Sequence, residues 1–146
     1  MSIWHASIIR ILRQSGLFTD VQLAGGKVRA FLSQTLFLDI HYGRAFGDHY
    51  DPTSGSYSYA LIDPTLPYPG DNGSRLRYHK RALGWDDFPH PDYAALTRLA
   101  SYPHHFQERL PDGTWRFTES IFRGEIETEI MEVINVIRQQ RASGEG

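Results

Sequence analysis

Histidine and aspartate concentrate in two short segments, residues 84–90 and residues 102–106. The first segment reads Gly-Trp-Asp-Asp-Phe-Pro-His and the second reads Tyr-Pro-His-His-Phe. Imidazole and carboxylate are the side chains that proteins use most to move protons and to bind metals. Both segments contain proline, whose fixed φ favours a rigid backbone that orients neighbouring groups. We therefore expect any catalytic chemistry of this chain to lie in these two segments.

The candidate catalytic residues are Asp86, His90, His104 and His105. His104 and His105 are neighbours, and neighbouring side chains of an extended backbone point in opposite directions. One of them can therefore act in proton transfer while the other hydrogen-bonds within the loop. Asp86 has two interpretations that the sequence leaves open. It can hold a histidine in one tautomer, or it can cap a turn through its own backbone.

A metal site is the alternative chemistry for the same residues. Histidine and carboxylate together suit zinc, manganese or iron. The residues that could build such a site are Asp86, Asp87, His90, His104 and His105. Their spacing matches no zinc signature such as His-Glu-x-x-His, and the chain has no cysteine to supply a thiolate. The leading expectation is therefore that no metal or other cofactor is used.

A basic stretch leads directly into the first histidine segment. Residues 75–81 read Arg-Leu-Arg-Tyr-His-Lys-Arg, and on a strand the alternate residues of this stretch share one face. Such a face could follow the phosphates of RNA, and aromatic rings beside it could stack on unpaired bases. The alternative is an ordinary solvated face with aromatics in the core. The candidate RNA-binding residues are Arg75, Arg77, His79, Arg81, Trp85 and Tyr102.

The elements that must position these segments can be predicted from hydrophobic periodicity. Apolar residues at helical spacing predict helices over residues 6–16 and 125–141. Alternation and turn residues predict five strands. These strands cover residues 27–34, 36–42, 56–63, 75–83 and 114–118. We expect an α+β fold, with an antiparallel sheet of about four to five strands and with an N-terminal and a C-terminal helix packed on one face.

Length and composition suit one domain over residues 1–146, with a frayed tail over residues 142–146. The chain has 146 residues, is 40% hydrophobic and carries a formal net charge of −2. This composition supports a buried core. It lacks the overall basic charge common among nucleic-acid binders, so an RNA contact would rest on the local basic stretch. The N-terminus has no signal-peptide pattern, and no apolar run is long enough to span a bilayer. We expect a cytoplasmic protein without a membrane partner.

Five segments, taken in order, resemble the TumE-type toxins of prokaryotic toxin–antitoxin loci. The strand segments read Phe-Leu-Asp-Ile-His-Tyr at 37–42 and Tyr-Ser-Tyr-Ala-Leu-Ile at 57–62, with a Thr-Ser-Gly turn between them. The other two are the histidine segments, which resemble the family's Asp-Asn-x-Pro-His-His and Phe-Pro-His-His-x-His. The resemblance covers roughly residues 30–137. Asp87 stands where the family has Asn, Pro91 where it often has a second His, and Gln107 where it has a third His. Residues 43–50 lengthen the first hairpin.

The resemblance implies a small toxin that acts on RNA and is neutralised by a helix-turn-helix antitoxin. Our leading hypothesis is a metal-independent endoribonuclease, with His104 or His105 as one proton-transfer partner, His90 as the other and Asp86 orienting them. Arg77 or Arg81 would stabilise the phosphate charge. The alternatives are a metal-dependent hydrolase at the same cluster and a non-catalytic protein-binding module. The sequence leaves open whether the protein forms a homodimer.

Overall fold

A computed structural model describes residues 3–42, 56–67, 80–89 and 92–145. The helices are α1 (Ile3–Gln14), α2 (Ala94–Thr97) and α3 (Ile126–Glu145). The strands are β1 (Asp20–Ala24), β2 (Lys27–Phe31), β3 (Phe37–Tyr42), β4 (Tyr57–Ile62), β5 (Arg81–Asp86), β6 (His105–Arg109) and β7 (Trp115–Glu119). The predicted α+β class is confirmed, with an antiparallel sheet and helices near both ends of the chain.

The described strands form one sheet in which each strand pairs antiparallel with the next along the chain, in the order β1 to β7. Short turns can connect such neighbours. The β1–β2 turn consists of Gly25 and Gly26, with φ of 58° and 84°. Glycine adopts this left-handed region without the steric cost that other residues incur, so these two glycines permit a two-residue hairpin.

Helices α1 and α3 pack on one face of the sheet and bury the main core there. On α3 the apolar stripe predicted from the sequence is buried, with Ile130 and Val133 fully enclosed. The sheet meets these helices with alternate side chains of its central strands, including Leu38, Ile40 and Tyr59. This alternation is the period of two that a sheet with one helix-covered face requires.

The opposite face of the sheet is polar in its centre but is also buried. Successive strands place Asp39, Ala60, Gly84 and Gln107 in one row across the sheet. Next to it lies a row of Ser58, Asp86 and His105. Buried polar groups require partners. This face therefore contains a hydrogen-bonded network, which includes two of the candidate catalytic residues.

The expected strand number was wrong, since the described residues contain seven strands. Strand β1 alternates polar Asp20 and Gln22 with apolar Val21 and Leu23, but it is only five residues long and was not predicted. Strand β6 lacks such alternation. On β1, Val21 is buried but Leu23 is 44% exposed, as suits an edge strand. On β6, Phe106 faces the main core, whereas His105 and Gln107 face the polar side of the sheet and are fully buried. Hydrophobic periodicity does not detect a strand whose buried side chains are polar.

The boundaries of several predicted elements also differ. Strand β5 runs from Arg81 to Asp86, which is later in the chain than the predicted 75–83, so Trp85 and Asp86 lie in a strand. Helix α1 begins at Ile3 and ends at Gln14. Helix α3 continues to Glu145, through the predicted frayed tail, because no proline interrupts it. None of the helices in the described ranges is both long enough and apolar enough to span a bilayer.

Candidate active site

The two histidine segments lie side by side because β5 and β6 are paired strands. Asp86 at the end of β5 is opposite His105 at the start of β6. Beyond the strands, the Tyr102 hydroxyl donates a hydrogen bond to the Pro89 carbonyl at 3.2 Å. Segments separated by more than ten residues along the chain are thus held together by backbone pairing and a side-chain contact. His90, the last residue of the first segment, lies outside the described residues.

Asp86 is the centre of a buried network on the polar face. Its Oδ2 lies 2.7 Å from Nη1 of Arg81, and its Oδ1 lies 3.2 Å from Nε2 of His105. Its Oδ1 also accepts a hydrogen bond from the Phe88 backbone N–H at 2.9 Å. Both interpretations of Asp86 therefore apply, since it contacts a histidine and also caps the turn that follows β5.

The pKa of Asp86 reflects two opposing effects. Burial alone raises the pKa of this carboxyl, because a charge is poorly solvated there. The charges of Arg81 and His105 and the hydrogen bonds to the carboxylate oppose that effect, so the net pKa lies below its ordinary value. Asp86 is therefore an ionised, fully partnered carboxylate at neutral pH. A general base that takes a proton from substrate needs an accessible lone pair, which this environment does not offer.

Arg81 reaches Asp86 because of two local features of β5. The pairing of β4 with β5 changes register between Leu61 and Ile62, which places Arg81 opposite Ile62. Such an irregularity redirects a side chain, and the guanidinium extends over Gly84 on the polar face. A Cβ at Gly84 would lie 3.4 Å from Nη1 of Arg81 and 2.9 Å from the Tyr59 carbonyl oxygen. Nη2 of Arg81 donates to the Ser58 hydroxyl at 3.0 Å.

His105 is enclosed within the protein, with 0% of its surface exposed. Its Nδ1 lies 2.8 Å from the Pro103 carbonyl oxygen, and its Nε2 lies 2.9 Å from Oε1 of Gln107. Gln107 occupies the position of the third histidine in the TumE-type pattern and is also fully buried. His105 thus holds the start of β6 in place on the polar face.

Asp87 binds the beginning of β4. Its Oδ1 accepts hydrogen bonds from the backbone N–H groups of Ser56 at 2.7 Å and Tyr57 at 3.2 Å, and its Oδ2 accepts one from the Ser56 hydroxyl at 2.6 Å. The residue is 0% exposed. A carboxylate with these three donors ties the segment after β5 to the residues that begin β4.

His104 points the other way, as expected for neighbours in an extended segment. Its Nδ1 lies 2.9 Å from the Tyr57 hydroxyl oxygen, and the two rings stack with centroids 5.8 Å apart. The Tyr57 hydroxyl donates its proton to the Phe122 carbonyl at 3.1 Å. Burial and the charge of Asp87 raise the pKa of Tyr57, which keeps this hydroxyl protonated. With its own proton on the Phe122 carbonyl, the Tyr57 hydroxyl can accept from Nδ1–H of His104, which corresponds to the tautomer without a proton on Nε2.

Arg123, which the sequence analysis missed, is a cation that shares a carbonyl partner with the tyrosine in contact with His104. Its Nη1 donates to the Phe122 carbonyl at 2.7 Å, the same oxygen that accepts from Tyr57. It also donates to the Ser120 carbonyl at 2.7 Å. Arg123 lies in an exposed turn, nineteen residues after His104 and outside the basic stretch. Nothing in the local sequence links it to the histidine segments.

The remaining candidate RNA-binding residues do not form one exposed surface among the described residues. Trp85 is 7% exposed and packs against Phe106 and Phe122, with ring centroids 4.7 and 5.6 Å away. Tyr102 is half-buried and contacts Pro89, as described above. Three predicted contacts lie outside the described residues, namely Arg75, Arg77 and His79. In the first histidine segment Phe88, and not Trp85, has a substantially exposed ring, at 42%.

Within the ranges that the structure describes, no three or more histidine, aspartate or glutamate side chains are grouped so that they could hold a metal ion. Asp86 and His105 lie together, but His104 lies on the other side of the sheet. His90 is not part of this comparison, because its position is not described.

Comparison of the chain with protein-family models, with curated proteins and with solved structures finds no significant match to any of them. The resemblance to TumE-type toxins therefore rests on the sequence motifs alone.

Proposed function

We propose that the protein is the toxin of a type II toxin–antitoxin pair and that it cleaves RNA without a metal ion. The observation that carries this proposal is the contact of His104 with Tyr57, together with the Arg123 guanidinium on the carbonyl that also binds Tyr57. An imidazole oriented by a hydroxyl group and a nearby cation are two of the parts that such cleavage needs. The helix-turn-helix antitoxin is proposed from the sequence resemblance.

The reaction begins when a base takes the proton of the ribose 2′-hydroxyl. The 2′-oxygen then bonds to phosphorus, and the bond from phosphorus to the 5′-oxygen breaks while an acid protonates that oxygen. The products are a 2′,3′-cyclic phosphate and a 5′-hydroxyl end. Each proton-transfer partner contributes about 10²–10⁴-fold to the rate. A cation stabilises the additional negative charge that develops on the phosphorane.

We assign one proton transfer to Nε2 of His104 and the stabilisation of phosphate charge to Arg123. His105 becomes a positioning residue, because its ring is enclosed and is bonded to Pro103 and Gln107. Arg81 is held by Asp86 and Ser58, with its side chain only 14% exposed, so it is a poor phosphate ligand. His90 remains the proposed second proton-transfer partner, since it follows Pro89, which contacts Tyr102.

The test is cleavage of a defined RNA by purified protein in the presence of a chelator. We expect cleavage with 2′,3′-cyclic phosphate ends, and a fall of about 10²–10⁴-fold in the His104→Ala variant. Gln140→Ala, an exposed change on α3, is purified in parallel and should cleave like wild type, which controls for contaminating nucleases. Equal cleavage by the two variants would remove His104 from the mechanism. Cleavage that the chelator abolishes would favour the metal-dependent hydrolase instead.

A second candidate is a protein-binding module without catalysis. The observation that favours it is the burial of Asp86, Asp87 and His105, all of which have partners within the protein. These residues would then stabilise the loops and would have no catalytic role. Wild-type protein that binds a helix-turn-helix partner but cleaves no RNA, with or without added divalent metal, would favour this candidate.

A further inference from the structure

The helical layer of this protein is narrower than its sheet. Strands lie about 4.8 Å apart, so seven strands span roughly 29 Å. A helix with its side chains is about 10 Å wide, so two helices cover roughly 20 Å. Helix α1 contacts β1 and β2, and Glu129 of α3 contacts Tyr59 of β4. The part of this face that remains, over β6 and β7, has the width of one more helix.

No described helix covers that part of the face. The β7 side chains on this face, Arg116 and Thr118, are exposed. Beside α3 lies a groove of about 580 Å³, lined on its other side by residues 119–122 and by Trp85 of β5. Trp85, Phe122 and Val136 contribute apolar surface to it, and Ile121, which is 89% exposed, lies at its edge. The groove therefore offers an apolar floor beside the existing helical layer.

The described lining of the groove is acidic. Among the described residues that line it, four are glutamates and none is lysine or arginine: Glu119, Glu125, Glu129 and Glu132. Glu119 and Glu129 are bonded within the protein. Glu125 and Glu132 are exposed, and within the described part of the chain neither forms an ion pair. Arg123 lies close by, but its Nη1 is bonded to two backbone carbonyls.

We propose that this groove is the docking site for a cationic amphipathic helix of a partner protein. The width of the uncovered surface fits one helix, and the apolar floor fits the apolar stripe of such a helix. The glutamates on the α3 flank complement lysine or arginine beside that stripe, which would add specificity and a faster association rate. The same carboxylates repel phosphate, so the groove does not fit RNA.

The groove is connected directly to the environment of His104. Ser101 Oγ donates to the His104 carbonyl at 2.6 Å and accepts from the Ser120 N–H at 3.2 Å. The Phe122 carbonyl accepts from Tyr57, which contacts His104. A docked helix would therefore lie next to His104 and would obstruct substrate. This inhibitory consequence rests on the proposed function, whereas the docking itself does not.

The experiment measures binding of a fluorescein-labelled amphipathic helix with leucine on one face and lysine on both flanks. A second peptide has glutamate in place of every lysine. We expect saturable binding of the lysine peptide that is at least about tenfold tighter than binding of the glutamate peptide, and that weakens with salt. The Glu125→Lys/Glu132→Lys variant should bind it at least about tenfold more weakly. Glu127→Lys, on α3 but outside the groove, should change binding less than twofold.

Ile121→Ser tests the apolar part of the groove separately, because this exposed side chain contributes little to folding. We expect several-fold weaker binding of the lysine peptide. Failure of the wild-type protein to bind the lysine peptide, or equal binding by the groove variants and wild type, would overturn the proposal. Sedimentation is measured in parallel, and a wild-type dimer that Glu125→Lys/Glu132→Lys dissociates would assign the groove to a second copy of this chain instead. These readouts do not use RNA cleavage, so they are independent of the proposed activity.

Discussion

At the scale of single residues, two adjacent histidines have different environments. His105 is fully buried with its ring nitrogens facing protein oxygens, and His104 is half-buried on a tyrosine hydroxyl. Both were candidates for proton transfer on the sequence, and alternation predicted that they would point apart. The neighbouring strands determine which of the two histidines is accessible to a substrate. The proposed chemistry therefore belongs to His104.

Tyr57→Phe tests the role of Tyr57 as a positioning residue. The change removes the acceptor for Nδ1–H of His104 but leaves the aromatic ring. We expect kcat for RNA cleavage to fall by about 10–100-fold with little change in KM, because small errors in orientation are costly. Tyr93→Phe is the control, since this tyrosine is 41% exposed and stacks on Phe117 and not on His104. A kcat for Tyr57→Phe equal to that of Tyr93→Phe would contradict the assignment.

Asp87→Asn separates a structural carboxylate from a catalytic or metal-binding one. The carboxylate of Asp87 accepts hydrogen bonds through both oxygens, whereas the amide of asparagine would place an N–H₂ group, itself a donor, opposite one of those donors. We expect a loss of about 1.5–3 kcal/mol in the free energy of unfolding, measured with urea, and unchanged cleavage per folded molecule. Asp112→Asn is the control, because Asp112 accepts similar bonds from Thr114 while exposed. Water can replace those bonds, so Asp112→Asn should lower the free energy of unfolding by less than Asp87→Asn does. If the folded Asp87→Asn protein no longer cleaved RNA, Asp87 would instead be a catalytic or metal-binding carboxylate.

At the scale of elements, one buried side chain joins α3 to the sheet. Glu129 accepts a hydrogen bond from the Tyr59 hydroxyl at 2.8 Å. It also accepts from the backbone N–H groups of Arg123 at 2.8 Å and Gly124 at 3.1 Å, which precede the helix. Burial, followed by the charge and the hydrogen bond of Glu129, raises the pKa of Tyr59. The turn that carries Arg123 is therefore held by the same carboxylate that anchors the helix.

Glu129→Gln should weaken this junction. The glutamine N–H₂ group would face at least one backbone donor and leave it unpaired, at a cost of about 1.5–3 kcal/mol in the free energy of unfolding. Glu127→Gln on the exposed side of α3 should change that free energy by less than about 0.5 kcal/mol. Denaturation by urea measures both variants. Equal stability of the two would show that the bonds to Glu129 do not stabilise the protein.

At the scale of the whole molecule, the polar face of the sheet should make stability depend on pH. The folded-state pKa of Asp86 is lowered below its ordinary value of 3.8. A lowered pKa means that Asp86 adds stability above its unfolded-state pKa, and that this stability is lost as the pH falls through the folded-state pKa. The charges responsible are those of Arg81 and His105, which hold the carboxylate in its ionised form.

Asp86→Asn tests this dependence. The wild-type protein should exceed the variant in free energy of unfolding at about pH 6, and the difference should shrink as the pH is lowered to about 2. Ser58→Ala removes one hydrogen bond of Arg81 but keeps the ion pair, so its difference from wild type should stay near 1 kcal/mol at every pH. A difference between wild type and Asp86→Asn that does not vary with pH would refute the proposed role of the ion pair.

Patterns among neighbouring residues determined much of the architecture. The α+β class, the amphipathic C-terminal helix and the antiparallel pairing of β3 with β4 follow from periodicity and turn residues, because these reflect which side chains of one element face the core. The two histidine segments were also recognisable from composition alone. Strand β6 was not recognisable in this way, since its fully buried residues, His105 and Gln107, are polar.

Only the tertiary structure decided which partners these side chains have. Asp86 meets His105 because β5 pairs with β6 in one register, and Arg123 reaches the neighbourhood of His104 because α3 packs on β4. Such contacts join residues that are distant in the chain, so they depend on strand order and on packing of the whole core. Local sequence carries no direct record of either, which is why the burial of His105 and the position of Arg123 emerged only from the fold.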